Sequence, residues 1–342
     1  MEVLDIKTEE IKDIDKLKKI MLSDNRRCLY RGQRDSLWGL VPNIYRKENV
    51  EDITKYLTRD DYRKKFEEKK TITRAILRNT EIGLIINFLK HCHYISLRLP
   101  SGAMRVYEKY AYEASRPINW PNYEELDILS IMQHYSFPTR LLDWSHNMLI
   151  AFFFAAKPHV IHGNSPGSFS IWEFDQVKFI GIKKRINLEV RRNSNSDDSQ
   201  TIRKKYTDFI DGLSGFRVFK SDSEINKNLG AQKGCFTYIR NQKTAYYDNL
   251  QDYRIPHDDY IRTLIIESEK LEKYKNDIEK FIYDEAKKLK LVLKKYIIAN
   301  ELAIDVIKLL EKLGYNQSAL FPSYEGVLAQ IELDVAIKLS NK

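Results

Sequence analysis

The sequence predicts an α+β fold in which a small mixed sheet holds the motif-bearing strands and helices surround that sheet. Ser168 to Phe174 alternates polar and apolar residues, which is typical of a strand. By contrast, the charged stretch 51–90 and the stretch from Ser268 to Asn300 have apolar residues at helical spacing. No internal repeat or coiled-coil heptad argues for another architecture.

The composition predicts a folded chain rather than a disordered one. It has 342 residues, of which 43% are hydrophobic and 12% aromatic, enough for a proper core. We expect one domain over 1–342, with a helical insertion at 50–130, a basic mobile loop at 183–205 and a helical part at 268–342. The net charge of +9 permits anionic partners such as nucleic acid or nucleotides, but identifies no site.

The cysteines and the N-terminus favour a cytoplasmic protein. Cys28, Cys92 and Cys235 are widely spaced and form no CxxC pair, so neither a disulfide framework nor a zinc site is expected. His91 and His93 flank Cys92 without a third ligand nearby, and no metal is predicted there. The acidic start of the chain is unlike a signal peptide. We expect no membrane association, and oligomeric state is left open.

The N-terminal half is predicted to alternate short strands with helices. Residues 3–21 indicate a strand followed by a helix, and 28–33 a strand that ends in a turn at Gly32. Gly32 would let a ligand or another backbone come close. Trp38 to Arg46 is expected to be a loop, and helices are expected at 104–114 and 123–135.

The C-terminal half is predicted to add further strands and then mainly helices. Strands are expected at 216–219, at 234–240 and at Ile261 to Glu267. A long charged helix or helix pair follows to Asn300. A further helix at 301–313 ends at Gly314, which suits a C′ position.

Chemistry-bearing residues are most concentrated in the stretch Gln133 to Ser145, which leads into the apolar run Met148 to Ala156. Nine apolar residues are too few to span a bilayer, which needs about 20, so the run is expected to be a buried helix. Ser145 or Asn147 would be its N-cap. The helix N-terminus favours an anion, and His134 and Arg140 lie next to it. A structural alternative is that Arg140 simply pairs with Asp143.

Four motifs resemble those of the FRG family, which is named for a Phe/Tyr-Arg-Gly sequence. They occur in family order: Tyr30-Arg31-Gly32-Gln33, then Gln133-His134-Tyr135 with Pro138 to Trp144, then Ala231 to Thr237 with its Gln-x-Gly-x-Phe element, and finally Leu320-Phe321-Pro322 with Glu325-Gly326. The chain is therefore identified as similar to FRG-domain proteins of the stand-alone bacterial type. The resemblance implies an effector, such as a toxin acting in antiviral defence, but no general activity.

Several enzyme classes are disfavoured because the sequence lacks their motifs in the required context. The one G-x-S-x-G pattern, Gly163 to Gly167, falls in an expected loop rather than at the strand-to-helix turn of a nucleophile elbow. There is no G-x-x-x-x-G-K-[ST] phosphate loop, no G-x-G-x-x-G and no HExxH. A serine hydrolase, a standard P-loop enzyme, a Rossmann dehydrogenase and a zincin metalloenzyme are therefore not predicted.

The leading hypothesis is an ADP-ribosyltransferase-like enzyme that uses NAD as its substrate. The order of parts is similar at the level of fold: an aromatic-Arg-Gly strand, a hydroxyl-bearing strand that runs into an apolar helix, and a late acid. Arg31 would hold the dinucleotide, and Thr139 or Ser145 would order it. Either Asp143 or Glu325 would stabilise the ribose cation, since no E-x-E or Q-x-E stands where that fold would place it. The remaining candidates are His134 for catalysis and Gln33, Gln133, Arg140 and Gln232 for binding.

Two other functions are kept open. A non-catalytic nucleotide- or phosphate-sensing module would grip an anion through Arg31, Gln33 and Arg140. A nucleic-acid effector would use the basic loop 183–205, in which we expect residues 191–201 to be mobile. The common expectation is that Arg31, Gln133, Arg140 and Asp143 surround one pocket.

Overall fold

A computed structural model describes most of the chain. The described residues are 6–23, 27–46, 64, 74–112, 119–163, 166–192, 209–221, 227–240, 256–269 and 277–339. The expected helical insertion at 50–130 is therefore seen only in part, as helices, and residues 193–205 of the predicted mobile loop lie outside the described ranges. Residues 183–192, with which that loop was predicted to begin, are instead helical.

The centre of the described structure is one mixed seven-stranded sheet. Its strands are β1 (Lys7–Ile11), β2 (Cys28–Gln33), β3 (Leu142–Ser145), β4 (Ser168–Asp175), β5 (Phe216–Phe219), β6 (Gly234–Ile239) and β7 (Leu293–Ala299). The order is β1-β7-β4-β2-β3-β6-β5. β1 pairs with β7 in parallel, and the other neighbours pair antiparallel. The predicted α+β class is confirmed.

Helices pack on both faces of this sheet. They are α1 (Ile14–Met21), α2 (Arg74–Tyr94), α3 (Ala103–Ala111), α4 (Tyr123–His134), α5 (Met148–Ile161), α6 (Gln176–Arg192), α7 (Lys227–Ala231), α8 (His257–Glu269), α9 (Asp277–Ala286), α10 (Ala303–Lys312), α11 (Gln317–Leu320) and α12 (Tyr324–Leu339). Short 3-10 turns occur at Asn43–Tyr45, Lys287–Leu291 and Asn300–Leu302. None of these described helices is long and apolar enough to cross a bilayer.

The apolar run after Asn147 forms α5, which is a buried helix as predicted. Asn147 is the N-cap, and its side chain accepts a hydrogen bond from the Leu149 backbone N–H. One face of β2 packs against α5, with α10 beyond, in a core that includes Tyr30 and Phe152. The other face packs against α6, α8 and α9 around Trp144 and Phe174. A third cluster joins α2, α3 and α4 to β6.

Two sequence predictions in the C-terminal half are wrong. Ile261 to Glu267 lies within helix α8 rather than a strand, because Ile261, Leu264 and Ile265 are buried at helical spacing. The predicted charged helix or helix pair instead breaks after α9, and β7 follows. Lys294 and Lys295 in β7 made the segment look helical, but they lie over the rings of Tyr296 and Trp172.

Candidate active site between strands β2, β3 and β6

A cavity of about 340 Å³ lies where the motif strands β2, β3 and β6 meet helices α4 and α5. Its walls are both polar and apolar. The polar lining residues are Arg31, Ser130, Gln133, His134, Asp143, Ser145, Asn228 and Gln232, and the apolar ones include Tyr30, Ile150, Phe154, Phe236 and Phe321. The volume falls within the range of small-molecule sites, which is about 300–1,000 Å³. Three of the four sequence motifs therefore contribute polar side chains to one cavity, and the fourth contributes Phe321.

Arg31 lies at a break in the sheet beside this cavity. β2 pairs with β3 only at Tyr30 and Ser145. Beyond that position a side chain links the two strands, since Arg31 Nη1 donates to the Asp143 carbonyl oxygen at 2.8 Å. The Arg31 side chain is 14% exposed, and its Nε–H is buried without a partner among the described residues. Burial lowers the pKa of Arg31, and the negative charge of Asp143 only partly offsets this. The guanidinium still carries its positive charge at pH 7, because arginine is not deprotonated in proteins.

Asp143 presents its carboxylate at the cavity, where its side chain is 59% exposed. Oδ1 accepts a hydrogen bond from Gln133 Nε2 at 2.7 Å, and Oδ2 lies 3.5 Å from Arg31 Nη1. Gln133 is held in turn by Thr139, whose hydroxyl donates to Gln133 Oε1 and accepts from the Leu141 backbone N–H at 3.2 Å. Thr139 is fully buried, so it orients Gln133 from behind rather than lining the cavity.

Ser145 and Gln232 connect the second wall of the cavity to backbone groups. Ser145 Oγ donates to the Gln232 carbonyl oxygen at 2.8 Å and accepts from the Asn147 backbone N–H at 3.0 Å. Gln232 Nε2 donates to the Leu320 carbonyl oxygen at 3.2 Å. These bonds join β3, the turn before β6 and the closing motif around one cavity, and they fix Ser145 at the entry to α5.

The glycines of three motifs allow close contacts rather than left-handed backbone. A Cβ on Gly32 would lie 1.9 Å from the Ala151 carbonyl oxygen of α5, and one on Gly326 would lie 1.8 Å from the Phe321 carbonyl oxygen. A Cβ on Gly234 would meet Leu229 at 2.4 Å. Gly32 thus permits the approach of another backbone, which was one of its two predicted roles.

Arg140 does not join the cavity, so that part of the predicted convergence is wrong. It is buried with Glu81 of α2, and Arg140 Nε lies 2.9 Å from Glu81 Oε1. Arg140 therefore pairs with Glu81, and the alternative pairing with Asp143 is also wrong. Burial lowers the pKa of Arg140, but the Glu81 carboxylate outweighs it and the net shift is upward. Glu81 also accepts a hydrogen bond from Trp120 Nε1 at 2.9 Å.

Gln33 and Glu325 also lie away from the cavity lining. Gln33 is buried; its Nε2 donates to the Gly39 carbonyl oxygen at 2.9 Å and its Oε1 accepts from Trp172 Nε1 at 2.8 Å. Glu325 is exposed in the first turn of α12, where its own backbone N–H and the Ser323 hydroxyl lower the pKa of its carboxyl. Asp143 is therefore the carboxylate that the described lining places in the cavity.

Two histidines near the cavity have lowered pKa values. His134 lines the cavity, and partial burial lowers its pKa, so the imidazole is neutral at pH 7. His257 was not predicted as a site residue. It is fully buried, and burial together with the charge of Arg31 lowers its pKa to about 3. Nothing in the local sequence Pro256-His257-Asp258 distinguishes it from a surface histidine.

Thr237 connects His257 to the tryptophan of the central motif. Its Oγ1 accepts from Trp144 Nε1 at 2.8 Å and lies 2.9 Å from His257 Nδ1. Because Trp144 can only donate, the Thr237 hydroxyl accepts from it, and the tautomer of the neutral His257 ring decides which partner donates in the bond between Thr237 and His257. This buried chain fixes the face of β3 opposite to Asp143.

Comparison with protein families agrees with the four motifs. Residues 26–161 match the FRG domain family, and this range spans β2 to α5 and includes Arg31, Gln133 and Asp143. The chain carries an FRG domain. The predicted resemblance is thereby confirmed, and the strands that complete the sheet, β4 to β7, follow the matched region. Neither the curated proteins nor the solved structures contain a match to this chain.

Proposed function

We propose that the cavity of the FRG domain binds an NAD-like dinucleotide and that the protein transfers its ADP-ribose group to an acceptor. The observation that carries the proposal is Arg31 placed between β2 and β3, directly beside the Asp143 carboxylate. A cation for phosphate and an anion for a developing ribose cation thus lie on one cavity wall. An effector role in bacterial antiviral defence, in the cytoplasm, is part of the proposal and is based on the family resemblance alone.

Arg31 is suited to the phosphate. Its guanidinium is planar, and one nitrogen is committed to Asp143 while the side chain still lines the cavity. A fixed guanidinium binds phosphate oxygens with little loss of conformational entropy. Phe154, Phe236 and Phe321 supply apolar surface in the same cavity, against which the rings of a nucleotide can pack.

Asp143 and His134 are suited to the transfer step. The glycosidic C–N bond would break, with its electron pair leaving on nicotinamide, and the Asp143 carboxylate would stabilise the oxocarbenium-like ribose. The acceptor oxygen or nitrogen then bonds to the ribose carbon. Its proton goes to His134, which can accept it because the imidazole is neutral at pH 7.

A non-catalytic nucleotide sensor is the second candidate, and one observation favours it. Both Asp143 oxygens are already engaged, one by Gln133 and the other by Arg31. Glu325, the other predicted acid, lies outside the cavity lining. In this alternative Asp143 and Gln133 only orient Arg31, and the nucleotide binds without being consumed.

Calorimetry of the parent protein with NAD, ADP-ribose and ATP tests the proposal. We expect binding of NAD and ADP-ribose, its loss in Arg31→Ala, and poor rescue in Arg31→Lys because a point charge lacks the planar fork. Arg34→Ala is the matched control, since Arg34 is exposed one residue beyond β2 and does not line the cavity. No binding of any of the three nucleotides at millimolar concentration would overturn the proposal.

A further inference from the structure

Three cationic side chains gather at the far edge of the sheet, away from the Arg31 cavity. They are Lys183 of α6, Arg217 of β5 and Arg240 just after β6, and we call them the edge cation cluster. Lys183 Nζ and Arg217 Nε both donate to the Ser214 carbonyl oxygen, at 3.4 and 3.1 Å. Two positive groups therefore share one neutral acceptor.

Arg240 joins the same turn through its backbone. Its N–H donates to the Gly215 carbonyl oxygen at 2.8 Å, and its Nη2 donates to Asn122 Oδ1 at 2.7 Å. Arg217 lies opposite Tyr238 in the β5–β6 pairing, two residues before Arg240 on β6. The three side chains are half-buried, so water screens their charges less than it would on an open surface.

The edge cation cluster has no counter-ion among the described residues, where each member is bonded to neutral acceptors only. Two other cations of α6 differ, because Arg185 pairs with Glu285 at 2.7 Å and Lys178 with Asp175 at 3.8 Å. Glu125, which acts on Arg240 through space, is buried and bonded to the hydroxyl of Tyr110 and the amino group of Lys109. In the part of the chain that the structure describes, the cluster therefore has no carboxylate of its own to pair with.

The cluster members also act on one another. Burial lowers the pKa of Lys183 to about 8, and the charge of Arg217 contributes. Burial and Arg217 likewise lower the pKa of Arg240. In addition, Arg240 Nε is buried and has no hydrogen-bond acceptor among the described residues. Like charges held together in a half-buried site are relieved when an anion binds between them.

We propose that the edge cation cluster is a phosphate-binding site, taking the phosphate oxyanions of a nucleic-acid strand or of a nucleotide. Two guanidinium groups offer planar donor pairs that match phosphate oxygens, and Lys183 adds a point charge. None of the three lines the Arg31 cavity, so this site is separate from the one proposed for the dinucleotide. The net charge of +9 would favour the approach of a polyanion.

The test compares two double variants that remove the same charge. Arg217→Gln with Arg240→Gln changes the cluster, and Lys280→Gln with Lys312→Gln removes two exposed lysines elsewhere. Fluorescence anisotropy with labelled single-stranded DNA and RNA 20-mers is measured over a series of salt concentrations. A second arm uses calorimetry with ATP and pyrophosphate in an Arg31→Ala background, so that the cavity makes no contribution.

We expect the cluster variant to bind its ligand at least tenfold more weakly and the control to stay within about twofold. If the ligand is a single strand, the slope of log affinity against log salt should become shallower by about 1.4, which is about 0.7 for each phosphate that is no longer neutralised. Weakening confined to the 20-mers identifies nucleic acid as the source, and weakening confined to ATP and pyrophosphate identifies a nucleotide. Failure of every probe to bind the parent protein at low salt would overturn the proposal, as would equal weakening in both double variants.

Thermal unfolding without ligand checks that the variants fold. Removing like charges from the cluster should leave the midpoint unchanged or raise it. If the double variant unfolds early, Lys183→Gln replaces it in the same assays, because the hydrogen bond of Lys183 goes to a backbone oxygen, that of Ser214. Unchanged affinity and an unchanged salt slope in that variant would also count against the site.

Discussion

Arg31 and Asp143 lie 112 residues apart in the chain, yet the Arg31 guanidinium donates to the Asp143 backbone at 2.8 Å and lies 3.5 Å from its carboxylate. The backbone contact bridges β2 and β3 where their pairing stops. The carboxylate contact gives the cavity a fixed neighbouring pair of opposite charges. Arg31 therefore both bridges two strands and forms a charge pair in the candidate active site. Variants of the Asp143 side chain can separate these two roles, because only the charge pair depends on the carboxylate.

Asp143→Asn should abolish the release of nicotinamide from NAD while ADP-ribose still binds. The amide keeps an oxygen for Gln133 and leaves the backbone carbonyl for Arg31, but it removes the negative charge. Stability should change by less than about 1 kcal/mol because the Asp143 side chain is 59% exposed. Chromatography of nicotinamide, with exposed Asp15→Asn as control, provides the measurement. Equal release by parent and variant would remove the catalytic role of Asp143, whereas no release by either protein would favour the sensor.

Gly32→Ala and Gly83→Ala should change stability in opposite directions. The new Cβ at Gly32 would lie 1.9 Å from the Ala151 carbonyl oxygen, so α5 must move away from β2. We expect a cost of at least about 2–3 kcal/mol, as for severe overpacking. Gly83 is in the interior of α2 with nothing within 4 Å of the added methyl, and alanine there should stabilise by about 0.5–1 kcal/mol. Urea denaturation measures the free energy of unfolding of both variants. A destabilised Gly83→Ala or an unaffected Gly32→Ala would contradict the expected packing.

The motifs predicted which strands would meet, but not which way each side chain would point. Arg31, Gln133, Asp143, Ser145 and Gln232 line the cavity as expected. Thr139, Gln33 and Arg140 come from the same motifs but support the cavity strands from buried positions behind them. A polar residue looks the same in the sequence whether it faces a cavity or a buried partner.

The partner of Arg140 shows why local reasoning failed there. Glu81 lies 59 residues earlier, in a helix whose charged surroundings suggest a solvated face. One signal was available, since Glu81 stands among Leu77, Leu84 and Ile85 at helical spacing and so falls on the apolar face. β7 was missed because its two lysines suggested an exposed helix, whereas their aliphatic stems cover buried aromatic rings in the strand structure.

Glu81→Gln should destabilise the protein strongly without changing the cavity. It leaves the buried Arg140 guanidinium without its counter-ion, which typically costs about 3–5 kcal/mol. Replacing both partners, as Glu81→Leu with Arg140→Met, should recover much of that stability. Breaking the exposed pair of Lys18 and Asp15 with Asp15→Ala should cost no more than about 1 kcal/mol. Chemical denaturation ranks the three, and a small effect of Glu81→Gln would mean that the pair is hydrated.

His257 should make the folded protein lose stability as the pH falls below about 6.5. The folded state keeps His257 neutral down to a pKa of about 3, whereas the unfolded chain takes up a proton near the usual histidine pKa of 6.5. Between those two pH values the unfolded state binds more protons than the folded state. The free energy of unfolding therefore falls as the pH drops, by roughly 1.4 kcal/mol per pH unit.

His257→Asn isolates this contribution from the carboxylates, which titrate in both proteins. The amide can still hydrogen-bond to Thr237, through its oxygen or its NH2 group, but cannot be protonated in this range. Urea unfolding at pH 7.5, 6.0 and 5.0 should show the parent losing roughly 2 kcal/mol more than the variant between the first and last values. A stability difference between the two proteins that stays constant over this range would mean that folding does not depress the pKa of His257.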